Sequence, residues 1–173
     1  LALGMGPGRV GLAPAITFAA TANAFLYTGA QVQLVDVDPV EGGMEPAHLQ
    51  EVLDSIPKAQ AGVVAPVSLG GRAGNLAQLA ELARRYGFKV VEDAAHSLGG
   101  HYQTPGGTYS SASCVHTDAA ILSFHPVKAI CTGEGGAVLS RDPEVLSRAD
   151  SLRTHGMVAP EAGALQAPWL LVQ

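Results

Sequence analysis

Five short apolar runs, separated by stretches with helical spacing, constrain this chain more than any other feature. They are Gln31–Val37, Ala61–Val67, Lys89–Asp93, Ala119–Phe124 and Gly136–Ser140. Such runs suit strands buried on both faces. Four helical patterns accompany them. Thr21–Tyr27 ends before Gly29, and Pro46–Ile56 carries Leu49, Val52, Leu53 and Ile56 on one face. Asn75–Tyr86 has Asn75 as N-cap, a Leu76, Leu79, Leu82 stripe, Arg84 and Arg85 in its last turn, and Gly87 beyond. Pro143–Thr154 follows Asp142 as N-cap and stops before Gly156. Strands alternating with helices predict an α/β fold: a mainly parallel sheet flanked by helices. In such sheets ligands bind just past the carboxyl ends of the strands.

Composition narrows the function classes. The chain has 173 residues, of which 47% are hydrophobic and 14% charged, with a net charge of -5. No Lys/Arg cluster offers the patch that nucleic acid requires. No apolar run approaches the roughly 18 residues of a membrane span. Cys114 and Cys131 form no pair-wise framework, which fits a reducing, cytoplasmic setting. So small a charged fraction suggests that part of the surface is covered, by a second subunit or by more chain. Both ends read as cut. The chain enters a Gly-rich turn at Gly4–Gly8 at once and closes on an apolar stretch with no stop signal.

Two residues past the strand ends carry chemistry together. Asp93 closes the third run and is followed by the small Ala94 and Ala95, which leave room for a flat ligand. Alone, an Asp there is as readily a turn cap. Lys128 follows the fourth run in an apolar loop, His125-Pro126-Val127-Lys128. Burial lowers a lysine's pKa and makes it nucleophilic, although most loop lysines are simply solvated. As a pair at neighbouring strand ends they match the demands of pyridoxal 5'-phosphate (PLP). A lysine forms the imine, and an acid keeps the pyridine nitrogen protonated. Ser123 offers a hydroxyl to a phosphate, and Gly133-Glu134-Gly135-Gly136 permits a tight turn. His96 could donate to the ring oxygen of PLP, and Phe18 could stack on its face; a satisfied histidine and a core aromatic are the plainer readings. His96, His101, Cys114, His116, Asp118 and His125 fall close in sequence, but without zinc-like spacing, so no metal site is expected. No G-x-G-x-x-G follows a first strand, which disfavours a dinucleotide fold.

In series these segments resemble the DegT/DnrJ/EryC1/StrS family of PLP-dependent sugar aminotransferases. The matching stretches are Ala15–Ala24, Val35–Pro39, Val91–His96, Ser123–Lys128, Gly133–Val138 and Arg153–Gly156. The resemblance spans roughly residues 4 to 157 and implies roles at matching positions. Lys128 corresponds to the Schiff-base lysine, Asp93 to the acid at the pyridine nitrogen, His96 to the Gln or His near the ring hydroxyl, and Ser123 to a phosphate-binding serine. Phe18 and Ala95 correspond to the residues on the two faces of the ring. The family implies a fold-type-I homodimer that moves an amino group from an amino acid, usually glutamate, to a nucleotide-linked keto-sugar. The wording of the lysine loop is most similar to the pseudaminic-acid-pathway branch that makes 4-amino-4,6-dideoxy sugars. Lys128 argues against the family's dehydratases, in which His replaces the lysine. Two departures stand out. Position 68 is Ser where the family often has His, and neither the family's leading phosphate loop and helix nor its C-terminal small domain is present. Residues 1-157 are therefore expected to be a partial PLP-binding large-domain core, and 158-173 a divergent tail. The alternative is a non-catalytic, truncated remnant.

Overall fold

The computed structural model describes residues 1–158 and 170–171. Its central sheet has six strands in the order β2-β1-β3-β4-β7-β8. Here β1 is Val10–Pro14, β2 Gln31–Val35, β3 Ala61–Val64, β4 Lys89–Asp93, β7 Ala119–Ser123 and β8 Gly136–Leu139. Between β4 and β7 lies a separate hairpin, β5 (His101–Thr104) and β6 (Gly107–Ser110). All neighbours in the central sheet are parallel except β7 and β8. The helices are α1 (Ala19–Leu26), α2 (Pro46–Ser55), α3 (Leu76–Arg85) and α4 (Pro143–Arg153). A two-residue pairing of Met157–Val158 with Leu170–Leu171 ends the described chain. Most of the expected 158-173 tail lies outside the described residues.

The five expected strands and four helices all form; most are trimmed at their ends, β4 keeps its expected bounds, and α1 starts two residues earlier, at Ala19. Pro66 has no N–H to donate, and β3 stops at Val64 instead of reaching Val67. Val67 touches Asp93 through an isolated parallel bridge. Asp142 caps α4 by accepting from the Glu144 N–H at 2.8 Å. Asn75 occupies the N-cap of α3 without a side-chain capping bond.

Strand β1 has no counterpart among the expected runs. It is short, with Gly11 inside it and Pro14 at its end, yet it is buried throughout between β2 and β3. Alternation explains its sequence. Val10 and Leu12 face α2 and α3 and join the larger core with Leu49, Leu53, Leu79 and Val90. Ala13 faces the other way, towards α1, and clusters with Phe25, Val63 and Ala65. A Cβ on Gly11 would lie 2.3 Å from Cγ of Phe25. Glycine is thus set by the close approach of an aromatic ring, which hides the strand from a search for branched apolar residues. Gly11→Ala is expected to destabilise the fold by about 2 kcal/mol through overpacking. In a thermal melt, adding Phe25→Leu to Gly11→Ala should recover part of that loss.

The β5–β6 hairpin was hidden by its polar sequence. It is held by an aromatic cluster instead of a branched apolar stripe. His116 meets Tyr109 edge-on with ring centroids 4.7 Å apart, and the Tyr102 hydroxyl lies 2.8 Å from His116 Nδ1. Burial, helped by the nearby Arg84 guanidinium, lowers the pKa of His116. Burial also pushes the Tyr102 phenol up, so the phenol keeps its proton and a neutral imidazole can accept it. The unfolded chain therefore protonates His116 more readily than the folded one does. This contribution to stability is present above the ordinary histidine value of about 6.5 and is lost as pH falls through it. Urea unfolding from about pH 7.5 to about pH 5 should show a steeper loss for the wild type than for His116→Phe.

Candidate active site

The carboxyl ends of β1, β3, β4 and β7 share one edge of the sheet. Asp93 is the last residue of β4 and only 7% exposed. Its main chain is fixed on both sides, with its N–H donating to the Pro66 carbonyl at 2.9 Å and its carbonyl accepting from Ser68 N–H at 3.0 Å. Its side chain is fixed as well. Thr21 Oγ1 donates to Asp93 Oδ2 at 2.8 Å, and the Ala95 N–H donates to Oδ1 at 3.2 Å. Ala94 is buried, while Ala95 is half-buried and His96 exposed.

Strand β7 brings Ser123 and Lys128 to the same edge. Asp93 pairs with Ile121, so Ser123 closes the neighbouring strand two residues further on. The Ser123 hydroxyl accepts from the His125 N–H at 3.4 Å. Lys128 is half-buried on the loop that follows, its N–H bonded to the His125 carbonyl at 2.9 Å. That loop closes on itself: Thr132 N–H donates to Phe124 O, and Phe124 N–H to Gly135 O. Gly133 at φ +82 supplies a left-handed residue that a glycine holds without strain. Phe18 is the N-cap of α1 and 78% exposed. Thr21 lies in the first turn after it, which brings that helix end beside Asp93. Among the described residues no hydrogen bond or ion pair joins Lys128, His96 or Phe18 to Asp93. What they share is the sheet edge.

Two supports for this edge carried no role in the sequence reading. Thr21 is one. The other is Glu92, which is 1% exposed. Strand alternation turns Glu92 away from Asp93, into a polar pocket of its own. Glu92 Oε1 accepts from Ser68 Oγ at 2.8 Å and from Ser111 Oγ, and Oε2 accepts from the Ala112 N–H at 2.8 Å. Ser68 therefore belongs to this network. It ties the segment after β3 and the segment after β6 to β4. The available signal was a carboxylate inside an apolar strand, which must find donors when buried. Glu92→Leu would remove the acceptor of Ser68 Oγ and the Ala112 N–H and leave Ser111 Oγ only its Ser97 contact, at a cost of about 3 kcal/mol. Chemical denaturation should show that loss, with Glu92→Gln intermediate.

An open groove of about 610 Å3 runs between α1 and α4 across the sheet face that carries Val63, Val91 and Ile121. Thr21 and Asp93 line it, and Asp93 is its only charged residue among those described. Each carboxylate oxygen can accept two hydrogen bonds, so Asp93 keeps acceptor capacity after binding Thr21 and Ala95. A buried acid with spare acceptor positions, next to small residues and a lysine loop, fits the pyridine end of PLP. The residues weighed as metal ligands are dispersed. His101 starts β5, His116 joins the aromatic cluster, and Asp118 accepts from the Val90 N–H. No group of three such side chains gathers among the described residues.

A family model, the DegT/DnrJ/EryC1/StrS aminotransferase family, matches residues 1–167. The chain belongs to this family. The match runs past Met157, where the resemblance of motifs stops. The chain is 37% identical over 150 residues to a UDP-4-amino-4,6-dideoxy-N-acetyl-beta-L-altrosamine transaminase of Campylobacter jejuni, covering 87% of this chain and 38% of that one. It is 34% identical over 157 residues to a UDP-2-acetamido-2-deoxy-3-oxo-D-glucuronate aminotransferase of Pseudomonas aeruginosa, covering 90% and 41%. Among solved structures, DesV of S. venezuelae in complex with a ketimine intermediate superposes with a TM-score of 0.78 at 30% identity, over 98% of this chain and 43% of that one. NtdA of Bacillus subtilis with bound cofactor PMP superposes at 0.77 and 29%, over 90% and 33%. The chain thus spans about two fifths of the length of the curated relatives it matches. Among the described residues, no helix is long and apolar enough to cross a membrane.

Proposed function

We propose that this chain carries the cofactor half of a PLP-dependent aminotransferase that moves an amino group from an amino acid of the glutamate kind to a nucleotide-linked keto-sugar. The observation that carries the reading is the placement of Asp93, buried and held at the end of β4, beside the strand that leads into the Lys128 loop. Relatives named for UDP-sugar amination support the acceptor class.

In this reading Lys128 Nζ would hold the cofactor covalently, and the Asp93 carboxylate would accept a hydrogen bond from the pyridine nitrogen. Ser123 would bind the phosphate, His96 the ring oxygen, and Phe18 and Ala95 would flank the ring. Bound PLP supplies an electron sink for charge that develops on the substrate carbon. When not bonded to the cofactor, Lys128 Nζ would serve as the general base and acid that moves the proton at the substrate carbon. Fixing Asp93 by main chain and side chain costs no reorganisation at that moment, which is the advantage of a preset electrostatic partner. Exposed Phe18, Val127 and Ile130 support a second subunit covering this edge, in a homodimer.

The test is an absorbance spectrum of the purified chain with PLP, before and after borohydride reduction, beside Lys128→Ala. A visible band that reduction fixes to the wild type, and not to the variant, is expected. No band, or an equal band in both proteins, would instead make this chain a fold remnant without a working site.

A further inference from the structure

We propose that Thr21 is a positioning residue for Asp93, the last member of a two-hydroxyl relay that sets how the acid meets the cofactor's pyridine nitrogen. This rests on the cofactor reading above. Thr21 and Asp93 are each 7% exposed, so their 2.8 Å bond is shielded from water. A hydroxyl has one proton to give. Thr21 spends it on Asp93 Oδ2, so at its 2.8 Å contact with Thr17 it must be the acceptor. The direction of the relay is then fixed: Thr17 donates to Thr21, and Thr21 donates to Asp93. With the Ala95 N–H on Oδ1, both carboxylate oxygens are pinned from opposite sides.

The geometry decides the function of the pair. A carboxylate at a strand end can rotate about its last bond, and a pyridine N–H requires one orientation. Thr21 lies in the first turn of α1, and Phe18 is that helix's N-cap. The relay therefore couples the placement of the flanking aromatic to the orientation of the acid. Valine at position 21 would keep the shape of threonine and remove the donor. Serine would keep the donor and remove a methyl group.

The experiment compares wild type, Thr21→Val and Thr21→Ser in the full 173-residue chain. Two ligands are titrated: PLP, and the analogue in which carbon replaces the ring nitrogen. Wild type should favour PLP. Thr21→Val should weaken PLP about tenfold and leave the analogue within about twofold, and Thr21→Ser should restore PLP binding. An equal loss for both ligands would assign Thr21 a merely structural role and overturn the proposal. A wild type that binds both ligands alike, or neither, would remove Asp93's partner, and the relay's purpose with it. A second readout stands apart from the cofactor. In the ligand-free chain, the Asp93 carboxyl 13C resonance, assigned with Asp93→Asn, should move in Thr21→Val and return in Thr21→Ser. An unmoved resonance would overturn the proposal even where PLP binds as expected.

Discussion

Adjacent residues on a strand point to opposite faces, and at the end of β4 this places two carboxylates back to back. Glu92 turns into a pocket of hydroxyls and an N–H, where it joins the segments that follow β3 and β6. Asp93 turns the other way, towards α1 and the open groove. The first carboxylate spends its acceptors on the fold. The second keeps some free. Each buried acid is tolerable because it has donors, and the strand fixes their relative orientation. The loops after β3, β4 and β6 inherit their positions from this arrangement, as does the edge where chemistry can occur.

Parallel pairing extends that order sideways. Asp93 beside Ile121 sets Ser123 just beyond it on the next strand, and the Lys128 loop departs from there. The two residues that define the candidate chemistry lie 35 positions apart in sequence, one at the end of β4 and the other on the loop that follows its neighbour β7. No side-chain bond between them is needed for this. The register does the work that a direct contact would do elsewhere.

Much of this was legible in the residues. The helical stripe of α3, the cap of α4 and the apolar runs at β3, β4 and β7 each announced an element by pattern alone. Asp93 and Lys128 stood out because they follow strands, and the family comparison agrees with the motifs around them. What stayed hidden did so for physical reasons. β1 carries Gly11 because Phe25 leaves no room for a Cβ, so its sequence lacks the usual branched residues. The β5–β6 hairpin depends on rings meeting across it, which no period reveals. Thr21 was visible as a helix residue, but its bond to a residue 72 positions away belongs to the tertiary structure.

The antiparallel β8 has a further consequence. A parallel neighbour would have required a crossover passing over the sheet, whereas β7 and β8 are joined by a simple reversal closed through Phe124, Thr132 and Gly135. Lys128 is thus borne on a cassette that leaves the sheet and returns to it at adjacent points. Adding residues to that cassette or removing them shifts no strand and re-routes no helix. Evolution can alter the reach and wording of the lysine loop while the acid beneath it stays where it is.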